Sequence, residues 1–360
     1  MSTSKKGFKR IILFAFCSIL TIFSSNGQNI SLNIPVPQNT SLKSILVNGD
    51  SIDNFNRSLN TFNINLPYSS AKSPLVIALP VHTDDIIKVI PANNVFGNES
   101  ERTARILVSS KNKMLTETYK LIFKVLPKLD LYLLIGQSNM AGRGKLTSDY
   151  LDTLTNVFLL TPQNSMEPAI NPLNKYSNIR KELKMQQLGP GYGFSKKIVA
   201  ATGATLGLIV NARGGSSILS WEKGNKDHYY EKTMIRMKAA LKWGTLKAIL
   251  WHQGESDSKI TDTYLDKLLV LVENMRKDLD SPKVYFIAGE LAYWNGDGKE
   301  SKNFNAMIRT ISTKTPYSTW VSAENLTPLI NNSDPHFDSK SQLILGERYA
   351  EKVLKNIYEK

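Results

Sequence analysis

The stretch Leu129-Asp-Leu-Tyr-Leu-Leu-Ile-Gly-Gln-Ser138-Asn-Met-Ala-Gly-Arg-Gly144 governs the interpretation of the whole chain. Its apolar run Leu131–Ile135 is typical of a buried strand, and the run stops abruptly at Gly136. Ser138 follows two residues later, so its hydroxyl is predicted to sit on a tight turn at a strand end. That placement suits a nucleophile, because the scaffold fixes the serine while the hydroxyl stays accessible. The spacing differs from the Gly-x-Ser-x-Gly elbow, since Met140 stands at the second glycine position.

Residues 127–360 alternate strand-length apolar runs with helical stretches, which predicts one α/β domain. The strand runs are not amphipathic, as expected of a parallel sheet that is covered by helices on both faces. We therefore predict a three-layer domain of flavodoxin-like type. The predicted strands are Leu131–Ile135, Thr205–Val210, Leu246–Trp251, Lys283–Ala288 and Ser318–Ser322, and the predicted helices are Gly193–Thr202, Tyr229–Lys242, Asp262–Leu279, Asn303–Ser312 and Gln342–Tyr358.

Residues 28–126 contain seven short runs separated by turn signals, which predicts a small all-β sandwich domain. The predicted strands are Ile30–Ile34, Leu42–Val47, Phe62–Leu66, Leu75–Leu79, Ile86–Ile90, Ala104–Val108 and Tyr119–Val125. With Val47-Asn-Gly49 near its start and Thr118-Tyr119 in its last strand, the stretch resembles bacterial cadherin-like or immunoglobulin-like modules. The resemblance implies a spacer or a glycan-contacting accessory.

Residues 1–27 have the order of a secretory signal peptide: a basic start, the apolar run Ile11–Phe23, then small and polar residues. The apolar run is short for a membrane span, so we predict a secreted or periplasmic protein without stable membrane insertion after cleavage. The sole cysteine, Cys17, lies inside this segment. The mature chain is therefore predicted to have no disulfide and no thiol nucleophile.

The chain is basic, with a formal net charge of +14, and removal of the four cations in the signal segment leaves +10. Either a solvated lysine-rich surface or attraction to anionic polymers accounts for this charge. A nucleic-acid partner is not predicted, because no nucleic-acid-binding motif is present and the secretion signal argues against one.

Polar, glycine-bearing clusters follow the predicted strands of the α/β domain. Ligands bind outside the carboxyl ends of parallel strands, so these clusters are expected to line one crevice. The clusters are Gly136–Asn139, Asn211–Ser217, Trp251–Asp257, Gly289–Leu291 and Asn331–Asp338.

Ester hydrolysis needs a nucleophile, a base and donors for the oxyanion. Ser138 is the predicted nucleophile, and His336, in the loop before the last helix, is the predicted base. The acid that orients the imidazole is either Asp334, two residues upstream, or Glu255, on the loop after the third strand.

Oxyanion donors are predicted from the backbone of Ser138 and of Gly214 or Gly215, where glycine allows close approach, and from the side-chain amide of Gln253. Gln137 and Asn139, beside the nucleophile, are further substrate-binding candidates. His252 abuts a strand end and is interpreted as a buried structural residue. Although His252 and Glu255 have metal-ligand spacing, no third ligand has a supporting motif, so no metal and no cofactor are predicted.

Four motifs together resemble the SGNH hydrolases: Gly136-Gln-Ser-Asn-Met-Ala-Gly142, Gly214-Gly-Ser-Ser217, Trp251-His-Gln-Gly-Glu255 and His336-Phe-Asp338. Within these enzymes the likeness is to the acetyl esterases of carbohydrate esterase family six and to the sialate O-acetylesterase-like group, over about residues 129–355. The resemblance implies metal-free removal of acetyl groups from sugars. By position it implies Ser138 as nucleophile, His336 as base and Gln253 in the role of the block-three asparagine.

This sequence departs from the family at the acid. The family commonly has Asp-x-x-His, but Ser333 stands three residues before His336 and Asp334 only two. The departure favours Glu255 slightly over Asp334. We expect a serine esterase for acetylated carbohydrate, of acetylxylan or sialate type, that works through an acyl-serine intermediate. The alternatives are a non-catalytic glycan-binding protein with a decayed site and an SGNH lipase or thioesterase.

Overall fold

The computed structural model describes residues 40–294 and 298–359. The chain from Thr40 onward forms one compact unit. The predicted signal peptide and the first predicted strand, Ile30–Ile34, lie outside the described residues. Within the described ranges, no helix combines the length and the apolar character needed to cross a membrane.

The first seven strands form two sheets, in the order β2-β1-β4 and β3-β7-β6-β5. Apolar side chains from both sheets, including Ile45, Ile106 and Phe123, share one buried cluster. The six predicted strands that fall in this region are confirmed to within three residues at either end. The strands are β1 Leu42–Val47, β2 Asp50–Ser51, β3 Thr61–Leu66, β4 Val76–Pro80, β5 Ile86–Ile90, β6 Thr103–Ser109 and β7 Thr116–Val125.

The other seven strands form one sheet in the order β10-β9-β11-β8-β12-β13-β14, in which β10 alone is antiparallel to its neighbour. The five strands predicted from the sequence are adjacent and follow the flavodoxin-like order second-first-third-fourth-fifth. The predicted parallel α/β fold is confirmed. The strands are β8 Leu129–Gly136, β9 Val157–Leu160, β10 Met166–Pro168, β11 Leu206–Ala212, β12 Gly244–His252, β13 Tyr285–Gly289 and β14 Ser318–Val321.

The strands β9 and β10, which extend the sheet beyond β11, were not predicted from the sequence. Both are short, and β10 carries Pro168 at the sheet edge, where no ladder hydrogen bond is lost. Their strand character depends on pairing with β11, which no local periodicity reveals. The β9–β10 hairpin contacts the N-terminal β region: Asn65 in β3 donates to the backbone oxygen of Met166 at 2.8 Å, and Ser165 donates to the carboxylate of Asp53, which lies between β2 and β3.

Seven α-helices of the described ranges pack around this sheet, and the five predicted helices are confirmed to within five residues at either end. The last one, α7, is capped by Asp338, whose Oδ1 accepts the Ser341 amide at 2.7 Å. The helices are α1 Ser138–Ala141, α2 Gly191–Thr202, α3 Tyr229–Ala240, α4 Thr261–Asp278, α5 Lys299–Arg309, α6 Ile311–Lys314 and α7 Ser339–Val353.

Both faces of the sheet are buried, which explains the continuous apolar run of β8. Leu131, Leu133 and Ile135 pack in the cluster that includes α3, α4 and α5. The intervening Tyr132 and Leu134 pack in the cluster that includes α2 and α7. Successive side chains of a strand point to opposite faces, so a strand between two helical layers is apolar at every position.

The carboxyl ends of β8 and β12 mark the point where ligands bind in folds of this kind. The chain leaves β8 toward β11 on one side and then crosses over to β12 on the other. Loops after neighbouring strands with opposite crossovers diverge and open a crevice. The strand ends meet at Gly136, which is paired with His252.

Candidate active site

Ser138 is the first residue of α1 and lies just beyond the end of β8. Gly136 has φ +135°, and a Cβ at this position would lie 2.1 Å from the backbone oxygen of His252. Only glycine fits this close approach of β8 to β12, so the chain turns sharply before the serine. The backbone N–H of Gln137 donates to the same His252 oxygen at 2.8 Å and holds Ser138 at the junction of the two strands.

His336 meets Ser138 across this crevice. Its ring Nε2 lies 2.9 Å from the Ser138 hydroxyl oxygen, although the two residues are 198 positions apart in the chain. His336 belongs to the loop between β14 and α7, and the capping of α7 by Asp338 fixes the end of that loop. The distance lies within the hydrogen-bond reach that a general base requires.

Asp334 occupies the other side of the imidazole. Its Oδ1 lies 2.6 Å from His336 Nδ1 and also accepts the His336 backbone N–H at 3.0 Å. The Asp-x-His spacing therefore brings the carboxylate to the ring despite the departure from Asp-x-x-His. Of the two acids that the sequence left open, Asp334 is the one that contacts His336.

Glu255, which the sequence slightly favoured, faces a different partner. Its side chain is 5% exposed, and Oε1 accepts a hydrogen bond from Asn139 Nδ2 at 2.6 Å. Burial raises the pKa of Glu255 to about 7. The other oxygen, Oε2, has no hydrogen-bond partner among the described residues. Glu255 is thus a buried carboxyl that contacts Asn139, the residue after Ser138, and not His336.

His252 is fully buried beside Glu255, with 3.9 Å between His252 Nε2 and Glu255 Oε1. Its Nδ1 lies 3.3 Å from the Tyr349 hydroxyl, which itself donates to the backbone oxygen of Trp251 at 2.7 Å. The single Tyr349 proton is thereby used, so His252 Nδ1 is the donor of that pair. Burial lowers the pKa of His252 to about 3, which keeps the ring neutral. In the described part of the chain, no group of three or more His, Cys, Asp or Glu side chains is arranged to hold a metal ion.

Asn139, which was predicted to bind substrate, makes its contacts inside the protein. The residue is fully buried, and its amide contacts the loop that carries His336 as well as Glu255. All of its polar atoms are engaged within the protein. The predicted contact with substrate is therefore replaced by an internal one.

Gln253 is likewise committed to internal contacts. It is fully buried, and its Nε2 lies 2.5 Å from Asp257 Oδ2, 2.9 Å from the Ser216 backbone oxygen and 3.1 Å from Gln137 Oε1. Both amide protons are used, so no donor is left for an oxyanion. Gln253 instead joins the loops after β8, β11 and β12. Gln137 takes part in this bracing through its carbonyl oxygen, and the structure gives its amide nitrogen no partner within the described ranges.

Gly214 and Gly215 form the turn that faces the serine. A Cβ built at Gly214 would lie 3.8 Å from the Ser138 Cβ, so the backbone of this turn approaches the nucleophile closely. Within residues 40–294 and 298–359, the backbone N–H groups of Ser138 and Gly214 donate to no protein acceptor. Gly215 has φ +72°, a conformation that glycine adopts without strain. The backbone of Gly214 therefore lies close to the Ser138 side chain, and the N–H groups of both residues have no protein acceptor within the described ranges.

Basic side chains surround this turn. Arg143 Nη2 lies 2.5 Å from the ideal Cβ position of Gly214, and Lys181 Nζ lies 3.5 Å from that of Gly215. In the described ranges neither Arg143 nor Lys181 forms an ion pair. Arg143 is anchored instead by hydrogen bonds from Nη1 to the backbone oxygens of Gly142 at 2.7 Å and Met185 at 2.9 Å. The crevice is thus positively charged on the side of the glycine turn.

The same surroundings set the protonation of His336. Burial lowers the pKa of its imidazole, the Asp334 carboxylate acts in the opposite direction, and the positive charge of Arg143 lowers it further. The net shift is downward from the ordinary value of 6.5. The ring is therefore neutral at pH 7 and available to accept a proton.

Two aromatic residues support the site in ways that the sequence did not reveal. Trp294 donates its indole N–H to the backbone oxygen of Asp334 at 2.8 Å. Tyr264 donates to Gln253 Oε1 at 2.8 Å. Neither contact belongs to a motif that the sequence shows.

A serine at the end of a parallel strand that contacts a histidine, which in turn contacts an aspartate, is the arrangement of an SGNH-like esterase. The family model for carbohydrate esterase, sialic acid-specific acetylesterase, matches residues 128–355. The chain belongs to this family of carbohydrate esterases, and it is a carboxylic ester hydrolase of the carbohydrate O-acetylesterase class.

Individual relatives agree with this assignment. The probable carbohydrate esterase At4g34215 of Arabidopsis thaliana is 28% identical over 252 residues, which cover 64% of this chain and 92% of the relative. The solved structure of the Arabidopsis protein superposes with a TM-score of 0.56 at 27% identity, over 64% of this chain and 99% of that one. The crystal structure of NanS gives a TM-score of 0.51 at 16% identity, over 65% and 98% of the two chains, and shows the shared fold.

Proposed function

We propose that the protein removes O-acetyl groups from carbohydrates through an acyl-serine intermediate. The observation that carries the proposal is the contact of His336 with Ser138 at 2.9 Å and with Asp334 at 2.6 Å. His336 Nε2 takes the proton of Ser138 as the serine oxygen attacks the acetyl carbonyl carbon. Asp334 holds the tautomer in which Nδ1 carries a proton, and its charge stabilises the imidazolium that forms.

The reaction is completed in two stages. Collapse of the tetrahedral intermediate breaks the bond to the sugar oxygen, and His336 donates its proton to that oxygen, so the sugar leaves as an alcohol. Water then attacks the acetyl-Ser138 carbonyl with His336 again acting as base. Breakdown of the second intermediate releases acetate and restores the serine hydroxyl.

The negative charge on the carbonyl oxygen is stabilised by the backbone N–H groups of Ser138 and Gly214. Both donors are free among the described residues, and the Gly214 backbone lies against the serine. Preorganised donors of this kind act where charge develops, so they stabilise the intermediate more than the substrate. The positive charge of Arg143 beside Gly214 supports the same effect.

Between the two glycan types expected from the sequence, the basic surroundings of the site favour an acidic sugar. Arg143 and Lys181 flank the glycine turn, and neither forms an ion pair in the described part of the chain. An anionic group on the substrate would satisfy them, whereas a neutral acetylated xylan would not. We therefore propose an acetylated acidic sugar as the preferred substrate.

Location and domain organisation form part of the same proposal. We infer secretion, or export to the periplasm, from the basic-apolar-polar order of residues 1–27. Residues 28–126 are proposed to be an accessory β-sandwich domain, and residues 127–360 the esterase domain. The two β-sheets of the described part of residues 28–126 support the first of these assignments.

Acetate release from a panel of acetylated glycans tests the function. We expect wild type to release acetate from acetylated sialic acid faster than from acetylated xylan, and Ser138→Ala to release acetate at the background rate. Equal turnover by wild type and Ser138→Ala would exclude the serine mechanism. Binding of the glycans without acetate release would indicate a non-catalytic glycan-binding protein, and faster hydrolysis of long acyl esters would indicate a lipase or thioesterase.

A further inference from the structure

Asn139 touches the residues on both sides of His336. Its Nδ2 donates to the backbone oxygen of Pro335 at 3.1 Å, and its Oδ1 accepts the backbone N–H of Phe337 at 3.2 Å. Asn139 follows Ser138 directly in the chain. One side chain therefore ties the backbone of the nucleophile to the backbone of the base.

The remaining bonds of Asn139 fix the orientation of its amide. Nδ2 also donates to Glu255 Oε1 at 2.6 Å, and Oδ1 also accepts from Gln342 Nε2 at 3.3 Å. Two donors and two acceptors are thus all satisfied. A rotated amide would place oxygen against the oxygens of Glu255 and Pro335, and nitrogen against two N–H groups. The surroundings therefore allow one orientation only.

We propose that Asn139 is a positioning residue that holds His336 Nε2 against the Ser138 hydroxyl, with Glu255 acting through Asn139 rather than on His336. This inference rests on the proposed function, because it assigns the carboxyl of Glu255 a role in the same reaction. It accounts for a carboxyl that is buried behind the site without touching the imidazole. It also accounts for the full burial of a polar residue next to the nucleophile, since a buried amide is retained where every bond is made.

Replacement of Asn139 by leucine keeps the approximate volume and removes all four hydrogen bonds. Asn305→Leu is the matched control, because Asn305 is also buried and also binds backbone with both amide atoms. Its Oδ1 accepts the Leu291 N–H at 2.7 Å, and its Nδ2 donates to the Leu291 oxygen at 3.0 Å. Kinetics with a small acetyl ester and thermal unfolding are measured for both variants.

We expect both variants to lose stability to a similar degree, while only Asn139→Leu loses kcat, by about 10- to 100-fold with little change in KM. A displacement of about 1 Å between reacting groups costs this much. An Asn139→Leu variant with wild-type kcat, or with a loss no larger than that of Asn305→Leu, would overturn the proposal.

A second measurement separates this inference from the proposed function. The His336 ring is titrated by NMR in wild type and in Asn139→Leu, which requires no turnover. We expect its pKa, which lies below 6.5 in wild type, to rise toward 6.5 in the variant as the loop is released from the buried crevice. A shifted titration in a protein that releases no acetate would retain the positioning role and reject the esterase function; an unshifted one would reject the positioning role.

A third variant addresses the case in which Asn139→Leu does not fold. Asn139→Asp is nearly isosteric and keeps the acceptor for Phe337, but it removes the donor to Pro335 and places a second carboxyl against Glu255. We expect its kcat to fall further behind that of wild type as the pH rises and the two carboxyls ionise. If the ratio of the variant's kcat to the wild-type kcat stays constant across the pH range, the role assigned to Glu255 is wrong.

Discussion

Asp334 contacts His336 twice: its Oδ1 lies 2.6 Å from the ring Nδ1 and 3.0 Å from the backbone nitrogen of the same residue. The second contact folds the Asp-Pro-His segment into a short turn, which brings the carboxylate back to the imidazole. Asp-x-His spacing and the commoner Asp-x-x-His spacing can therefore serve the same purpose. The local turn, and not the count of intervening residues, determines whether the acid reaches the base.

This contact separates the two acids that the sequence left open. We expect Asp334→Asn to lower kcat by about 10³- to 10⁴-fold, because an amide stabilises the wrong tautomer of the imidazole. We expect Glu255→Gln to retain kcat within several-fold, since its carbonyl oxygen can still accept from Asn139. Steady-state kinetics with a small acetyl ester decides between them, and the reverse pattern would identify Glu255 as the acid.

The protonation of His336 predicts the acid limb of the pH profile. Burial lowers the pKa of this imidazole, so kcat/KM should rise with pH around a midpoint below 6.5. Arg143→Gln removes a nearby positive charge that also lowers this pKa, and we expect it to move the midpoint to higher pH. Arg105→Gln, which removes an exposed cation from β6, serves as the control for net charge and should leave the midpoint unchanged. A midpoint that moves equally in both variants would contradict the assignment.

The buried carboxyl of Glu255 predicts how stability depends on pH. Its pKa is raised from 4.5 to about 7 on folding, so the folded state binds more protons than the unfolded state between these values. The contribution of Glu255 is therefore fully present below pH 4.5 and is lost as the pH rises through about 7. At about 1.4 kcal/mol per pKa unit, the change in the free energy of unfolding is on the order of 3 kcal/mol.

Denaturant unfolding of wild type and Glu255→Gln at a series of pH values tests this expectation. Glutamine cannot ionise, so the variant should lack the decline and should gain stability relative to wild type at pH 8. If the free energy of unfolding depends on pH in the same way in both proteins, the pKa of Glu255 is not raised.

Lys181, beside the glycine turn, predicts selectivity for charge in the substrate. Lys181→Gln should raise KM several-fold for an acetylated acidic sugar and leave KM for a neutral acetylated sugar unchanged. Lys184→Gln is the matched control, because Lys184 lies on the same segment but is exposed and paired with Glu182 at 2.8 Å. Salt should weaken the effect, as it screens an exposed charge. Equal KM changes for both substrates would remove the argument for an acidic sugar.

The sequence identified most of the scaffold because its signals are local. The apolar run of β8 stands between two helical layers, so its burial on both faces is visible as unbroken hydrophobicity. Ser138 could be singled out because a glycine that ends a buried strand implies a turn at the sheet edge. By contrast, β9 and β10 are too short for periodicity to identify them, and they depend on pairing with β11.

By itself, then, the sequence determined the layered α/β fold and the loops that line the crevice, since the pattern of apolar residues and turns is set along the chain. The tertiary structure alone decided which acid meets His336, and that Asn139 and Gln253 serve internal contacts. The contact of Asp334 with His336 depends on the turn that the Asp-Pro-His segment adopts. The contacts of Asn139 with Glu255 and Pro335, and of Gln253 with Gln137, join residues more than a hundred positions apart. Hydrogen-bond partners over such separations are fixed by how the loops pack, and no spacing in the sequence encodes them.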